Sequence, residues 1–209
     1  MSFDLDRFIA DLRTALGERS RQALKEVVAR AVAEPASLLG RIGAPEKAAA
    51  EVLHQSADLT VLNVVWAPKF VTLPHDHRMA AVIGMYGGRE DNVFWRRVPE
   101  GDAVAGSDQR RGSSDSLVGS DPLRGSSRRK FPIEPAGGES LGDGDTVILG
   151  RDIIHSVINP LEKLSGAIHV YDGPFMTTPR SMWSAETLRE EPYDLAAVAK
   201  GIPVQAPAR

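Results

Sequence analysis

The sequence contains no cysteine. That single absence excludes disulfides, thiolate metal ligands, Fe–S clusters and cysteine nucleophiles, so any metal must be held by nitrogen and oxygen. Long apolar runs are also missing, and no stretch approaches the length needed to span a bilayer. The first residues, MSFDLDRFIADLRTALGERS, lack the basic start and apolar centre of a secretory signal, which sets the expectation of a cytoplasmic protein with no membrane partner. Charge of one sign is scarce: the formal net charge is -3, too small to draw a nucleic acid by bulk electrostatics. A small-molecule substrate is the partner class left. Apolar residues at 42% and charged residues at 25% are ordinary for a globular chain, and a length of 209 favours one domain with one site.

Within that domain the hydrophobic period changes once. Phe3, Leu5, Phe8, Ile9, Leu12 and Leu16, then Leu24, Val27, Val28 and Ala31, recur at spacings of three and four, which predicts two amphipathic helices. Gly17 is placed to end the first, Pro35 to open a third short helix through Leu39, and Lys47 to Val52 to add another turn. After Asp58 the segments LTVLNVVW, AAVIGMYGG, DNVFWRR, DTVILG, SVINP and GAIHVYDG are rich in β-branched residues and bounded by turn formers. Short strands without intervening helices predict a sandwich or barrel. The expected class is mainly β, with a helical layer over residues 1–55, a β-barrel over 56–185 and a C-terminal tail over 186–209. Residues 104–130, rich in Gly, Ser, Asp and Arg, read as a mobile loop whose basic cluster is a solvated charge run.

Of five histidines, His75 and His77 stand at i and i+2, which in a strand points both imidazoles to one face. Such a pair can be half of a metal site, or two interior histidines bonded to the backbone. Their surroundings resemble the cupin superfamily, a double-stranded β-helix or jelly-roll barrel. Its first motif has glycine, His-x-His, a glutamate and a further glycine; here Pro74, His75, Asp76, His77 and Gly88 match, with Ala81 or Val82 in the glutamate slot. Its second motif is matched by Gly144, His155 and Asn159, with Gly150 and Asp152 in the Pro and Gly slots. The resemblance implies one divalent ion on His75, His77 and His155. Each ligand histidine should then donate its second ring N–H to a fixed acceptor.

Three neutral imidazoles leave the ion its full charge and open positions, a site that favours an anionic substrate. This set, together with HDHRMAAVIGMYGGREDNVFWRR, IHSVINP and AIHVYDGPF, resembles a bacterial branch of cysteine-dioxygenase-like cupins, the thiol dioxygenases. The resemblance implies Fe(II), O2 as co-substrate, and conversion of a thiol to a sulfinate. His169 and Tyr171 match the family's second-sphere His-x-Tyr, while its relay serine is replaced by Ala167. The family's crosslinking cysteine falls at about Val82, and its arginine clamp before the first motif has no counterpart in EVLHQSADLTVL. Arg78, Arg89 or Arg180 could bind a carboxylate instead, or be exposed or structural.

Ala80, where relatives carry an aromatic beside the strand of Tyr86, would widen the pocket if it lines it. The stretch Gly88 to Asn92 reads as a turn with acidic surface residues, and His54 as structural. Two alternatives stay open: a non-redox cupin isomerase or lyase using Zn, Mn or Ni, and a non-catalytic metal- or small-molecule-binding cupin. A monomer and a homodimer paired through exposed edge strands are equally consistent with the pattern.

Overall fold

A computed structural model describes residues 3–98, 132–198 and 204–205; the loop read at 104–130 lies outside them, as does part of the tail. Three helices open the chain, α1 (Leu5–Gly17), α2 (Arg21–Val32) and α3 (Pro35–Ile42). Asp4 and Ser20 cap the first two, their side-chain oxygens accepting the N–H of Arg7 at 3.0 Å and of Ala23 at 3.1 Å. Pro35 sits in the first turn of α3, where its missing N–H has no helical partner to lose. Gly17 closes α1 as expected.

Eleven strands follow before the last short helix. They are β1 (Ala49–Gln55), β2 (Thr60–Trp66), β3 (His75–Asp76), β4 (Ala81–Gly87), β5 (Glu90–Arg97), β6 (Ile133–Leu141), β7 (Thr146–Leu149), β8 (Ile154–Ile158), β9 (Ser165–Tyr171), β10 (Ser181–Trp183) and β11 (Glu190–Pro192). Helix α4 (Leu195–Val198) and strand β12 (Val204–Gln205) complete the described chain. The predicted helical turn over Lys47 to Val52 is instead the start of β1. Its Ala, Glu and Leu favour helix locally, but antiparallel pairing with β2 and burial of Val52 override that weak preference.

The strands form two six-stranded sheets, in the orders β12-β1-β2-β9-β4-β7 and β11-β10-β3-β8-β5-β6. All pairings are antiparallel except β1 with β12. Strand β9 lies between β2 and β4, and β8 between β3 and β5, so partners distant in sequence interleave. This is the double-stranded β-helix with N-terminal helices.

Strand alternation divides the core into layers. From the first sheet, Leu62, Val64, Trp66, Ala81, Ile83, Met85, Ala167 and Tyr171 point between the sheets. Val61, Val82, Tyr86, Ile168 and Val170 point the other way, into a second core under α1, α2 and α3. Gly88 turns the chain from β4 to β5 at φ +90, where a Cβ would meet Ser165 Oγ at 2.5 Å, so both backbone angle and space require glycine.

Candidate metal centre

The second sheet places the three expected histidines together. In the β3–β8 ladder His75 stands directly opposite His155, and His77 follows just past the end of β3. One nitrogen from each of His75, His77 and His155 lies within 4.8 Å of the others, and all three side chains are buried. His77 Nε2 and His155 Nε2 are 3.1 Å apart, inside the span of about 4 Å allowed to two nitrogens that each bind one ion at about 2.0–2.1 Å.

Alternation explains the convergence: His75 turns inward while Asp76 turns outward, accepting the Ser181 N–H at 2.9 Å and pairing with Arg78 and Arg97. His75 Nδ1 donates to the Leu73 carbonyl at 2.9 Å and His155 Nδ1 to Asn92 Oδ1 at 2.7 Å, so both present Nε2 as a lone pair. His77 Nδ1 meets no such acceptor among the described residues, so the expected second partner is present for His75 and His155 and not for His77.

Burial keeps these rings neutral. It pulls His75 down to about 4, and it holds His77 and His155 well below the usual histidine range, helped by the neighbouring histidines. Three desolvated, uncharged imidazoles sharing one focus are a donor set that fits a divalent ion. Of the two candidate positions for the missing glutamate, Ala81 faces the interior and Val82 faces the helices. The inward position therefore carries a methyl group and no carboxylate.

His169 and Tyr171 occupy the inner face of β9, on the opposite wall of the same cavity. The Tyr171 ring meets His77 edge-on, with centroids 5.1 Å apart, and stacks on Phe175 at 3.8 Å. Its hydroxyl lies 3.2 Å from His169 Nδ1. Burial pushes the phenol well above its usual range, so Tyr171 carries its proton at neutral pH. Ala167 shares this face, which confirms that no serine hydroxyl extends the pair.

The stretch Gly88 to Asn92 departs from the expected acidic surface turn. Glu90 and Asn92 belong to β5 and are buried, Glu90 fully. Glu90 Oε2 accepts the indole N–H of Trp66 at 2.7 Å, and Oε1 accepts Asn92 Nδ2–H at 3.0 Å. His169 Nε2 faces Oε2 at 3.7 Å, beyond hydrogen-bond reach, and has no other partner. Burial opposes ionisation of Glu90, but His169, Trp66 and Asn92 together outweigh it and hold the carboxyl below its usual range. Alternation of Glu90, Asn92 and Phe94 was the signal available in the sequence; reading the strand from Asp91 hid it.

The cavity has walls that are mostly apolar, including Leu62, Val64 and Val157, with Leu195 and Val198 of α4. Ala80 does not line it: its N–H donates to Asp172 Oδ1 at 2.7 Å on the other side of the chain. Tyr86 lies under the helices, donating to Asn63 Oδ1 at 2.8 Å. His54 is half-buried in β1 against Arg13 and Ser56, outside the cavity.

Among the three candidate arginines, Arg78 has φ 57 and turns away to Asp76 at 2.7 Å and Glu190 at 3.3 Å. Arg89 is held by Asp91 at 2.7 Å. Arg180 has no carboxylate partner among the described residues. Its guanidinium lies 3.9 Å from the ring centroid of Phe175 and 3.8 Å from that of Tyr193, two rings that line the cavity. Its Nε is buried without a hydrogen-bond partner. No described helix is long and apolar enough to cross a membrane.

No family model matches the chain, and no curated protein matches it. Solved structures that are similar include an RmlC-like cupin with a double-stranded β-helix fold from Methanocaldococcus jannaschii, at 10% identity over 64% of this chain and 87% of that one, with a TM-score of 0.41. A mutant of Bacillus subtilis oxalate decarboxylase matches at 16% identity over 57% of this chain, with a TM-score of 0.35. An oxalate oxidase matches at 14% identity over 56% of this chain and 43% of its own, again at 0.35. The match spans 22% of the decarboxylase chain, less than a quarter of its length. At these distances the likeness carries neither metal nor substrate to this protein.

Proposed function

We propose that the protein is a mononuclear non-haem Fe(II) dioxygenase of the thiol dioxygenase type, converting a small anionic thiol and O2 to a sulfinate. The observation that carries this reading is the juxtaposition in one cavity of the three-histidine cluster and the His169–Tyr171 pair. His75, His77 and His155 would hold the ion, and their neutral state leaves its positive charge available to a thiolate. Fe(II) bound there would supply binding of sulfur and O2 and the redox chemistry between them.

The residues of the chain account for the remainder. Tyr171 keeps a proton beside His77, and its O–H can exchange the contact with His169 Nδ1 for a hydrogen bond to oxygen near the cluster. The apolar walls exclude water around the organic part of the substrate. Arg180, lacking a carboxylate partner of its own, offers charge to an anionic group reaching past Phe175 and Tyr193. The net reaction is RSH + O2 → RSO2H: both oxygen atoms bond to sulfur, sulfur gives up four electrons, and O2 accepts them.

The test is O2 consumption by anaerobically Fe(II)-loaded protein against a panel of small thiols with and without a carboxylate. Uptake that needs both thiol and iron, is lost in His155→Ala and falls in Arg180→Ala supports the reading. Metal binding without uptake for any thiol would refute sulfur oxidation. Turnover of a substrate without O2 would instead support the non-redox alternative with Zn, Mn or Ni.

A further inference from the structure

We propose that Glu90 is a positioning residue between the two walls of the site, facing His169 as the nearest acceptor to its outer nitrogen and holding His155 through Asn92. An ionised carboxylate only accepts hydrogen bonds, and each oxygen of Glu90 is already met by a donor. Oε1 receives Asn92 Nδ2–H at 3.0 Å, which turns the other end of that amide, Oδ1, toward His155 Nδ1 at 2.7 Å. His155 must therefore carry its proton on Nδ1 and keep Nε2 free.

On the other wall, Oε2 receives the Trp66 N–H at 2.7 Å and faces His169 Nε2 at 3.7 Å. That nitrogen is buried and has no other partner, so Glu90 is the acceptor its proton can approach. A proton on Nε2 alone would leave Nδ1 as a lone pair for the Tyr171 hydroxyl at 3.2 Å. One buried carboxylate thus sets the hydrogen-bond directions of Asn92 and His155 and stands as the acceptor facing the outer nitrogen of the His169–Tyr171 pair.

A glutamine of the same shape could satisfy Trp66 alone. It could not also accept from Asn92, because one of its two ends is a donor. If the donor end met Asn92, that amide would turn over and offer N–H to His155 Nδ1, moving the His155 proton to the Nε2 that faces the cluster.

The effect on His155 as a ligand rests on the proposed three-histidine centre, whereas the His169 tautomer does not. The test uses full-length, metal-free protein with 15N-labelled histidine, read by two-bond 1H–15N spectra that report each ring tautomer, followed by Co(II) affinity. Wild type should show His169 protonated on Nε2 and His155 on Nδ1. E90Q should move the His155 proton to Nε2, leave His169 as it is because the amide oxygen that Trp66 requires still faces it, and weaken Co(II) binding by roughly 10–100-fold, as loss of an outer hydrogen-bond partner does at metal sites.

A wild-type spectrum with the His169 proton on Nδ1 overturns the proposal, with no variant needed. So does a folded E90Q whose His155 tautomer is unchanged. Should E90Q not fold, Asn92→Ala keeps the carboxylate and should alter His155 while leaving His169 as it is; a changed His169 with an unchanged His155 refutes the assignment. A changed His155 tautomer in E90Q with no Co(II) binding to wild type would support the Glu90 role and remove the metal centre.

Discussion

Lowering the pH from 7 to 5 should destabilise the metal-free protein, because folding buries His75, His77 and His155 in neutral form while the unfolded chain lets each take a proton. For His75 the folded value is about 4 against 6.5 for the free side chain. Below 6.5 the unfolded state binds more protons than the folded one, so stability falls as pH drops through 6.5 and stops falling below 4. At pH 5 this ring alone costs about 2 kcal/mol, a substantial share of the roughly 5–15 kcal/mol that holds a domain together. His77 and His155 shift in the same direction by the same burial and add to the loss. Asp76 and Asp172, whose carboxyls burial holds above their usual range, act in the opposite sense.

A difference measurement isolates the ring. Urea unfolding free energies at pH 7 and pH 5, compared between wild type and His75→Gln with metal removed, should show the variant losing about 2 kcal/mol less on acidification. Equal pH dependence in the two proteins would refute the argument that His75 is held neutral by burial.

Three further outcomes follow from particular contacts. Gly84→Ala would place a Cβ 2.5 Å from Val28 Cγ1 and 3.1 Å from Val32 Cγ1, so α2 must shift and stability should drop by roughly 1–3 kcal/mol in thermal unfolding; an unchanged midpoint would show that the helix yields freely. Asn159 donates to the carbonyls of Ala67 and Lys163 at 2.8 Å each and accepts from Ser165 Oγ at 2.9 Å and Leu161 N–H at 3.1 Å. Asn159→Ala should therefore cost at least about 1–3 kcal/mol in urea, and a loss of a few tenths would mean that water replaces it. Zn(II) at a hundredfold excess over its Kd should stabilise the protein by about 2.7 kcal/mol, reversed by chelator and absent in His155→Ala; a shift that survives the substitution would place the metal elsewhere.

Much of the fold was legible because its signals are local. The stripes of α1 and α2, the stop at Gly17 and the β-branched runs of β2, β4 and β9 each report an element from neighbouring residues. Segments whose structure depends on distant partners were hidden. Strand β1 is made of helix formers and exists because β2 pairs with it. Strand β6, IEPAGGESL, has little β propensity and is held by its ladder with β5.

The residues His75, His77, His155, His169 and Tyr171 could be singled out because period-two spacing and motif position survive in one dimension. The network behind them could not. Glu90 and Asn92 read as polar turn residues after a glycine pair, and nothing near them in sequence announces Trp66 or His169 as partners.

What the sequence determined by itself was composition and period: nitrogen and oxygen donors only, a helical layer followed by strands, and histidines paired on one face. The tertiary structure decided which of those groups meet. The register of β3 against β8 sets His75 opposite His155, β9 carries His169 and Tyr171 across from them, and β5 inserts a buried carboxylate between the two walls. The physical reason is that a side chain's facing is set within its own strand, whereas its partners and their hydrogen-bond directions are set by pairings between strands far apart in sequence, as in His75 with His155, 80 residues apart.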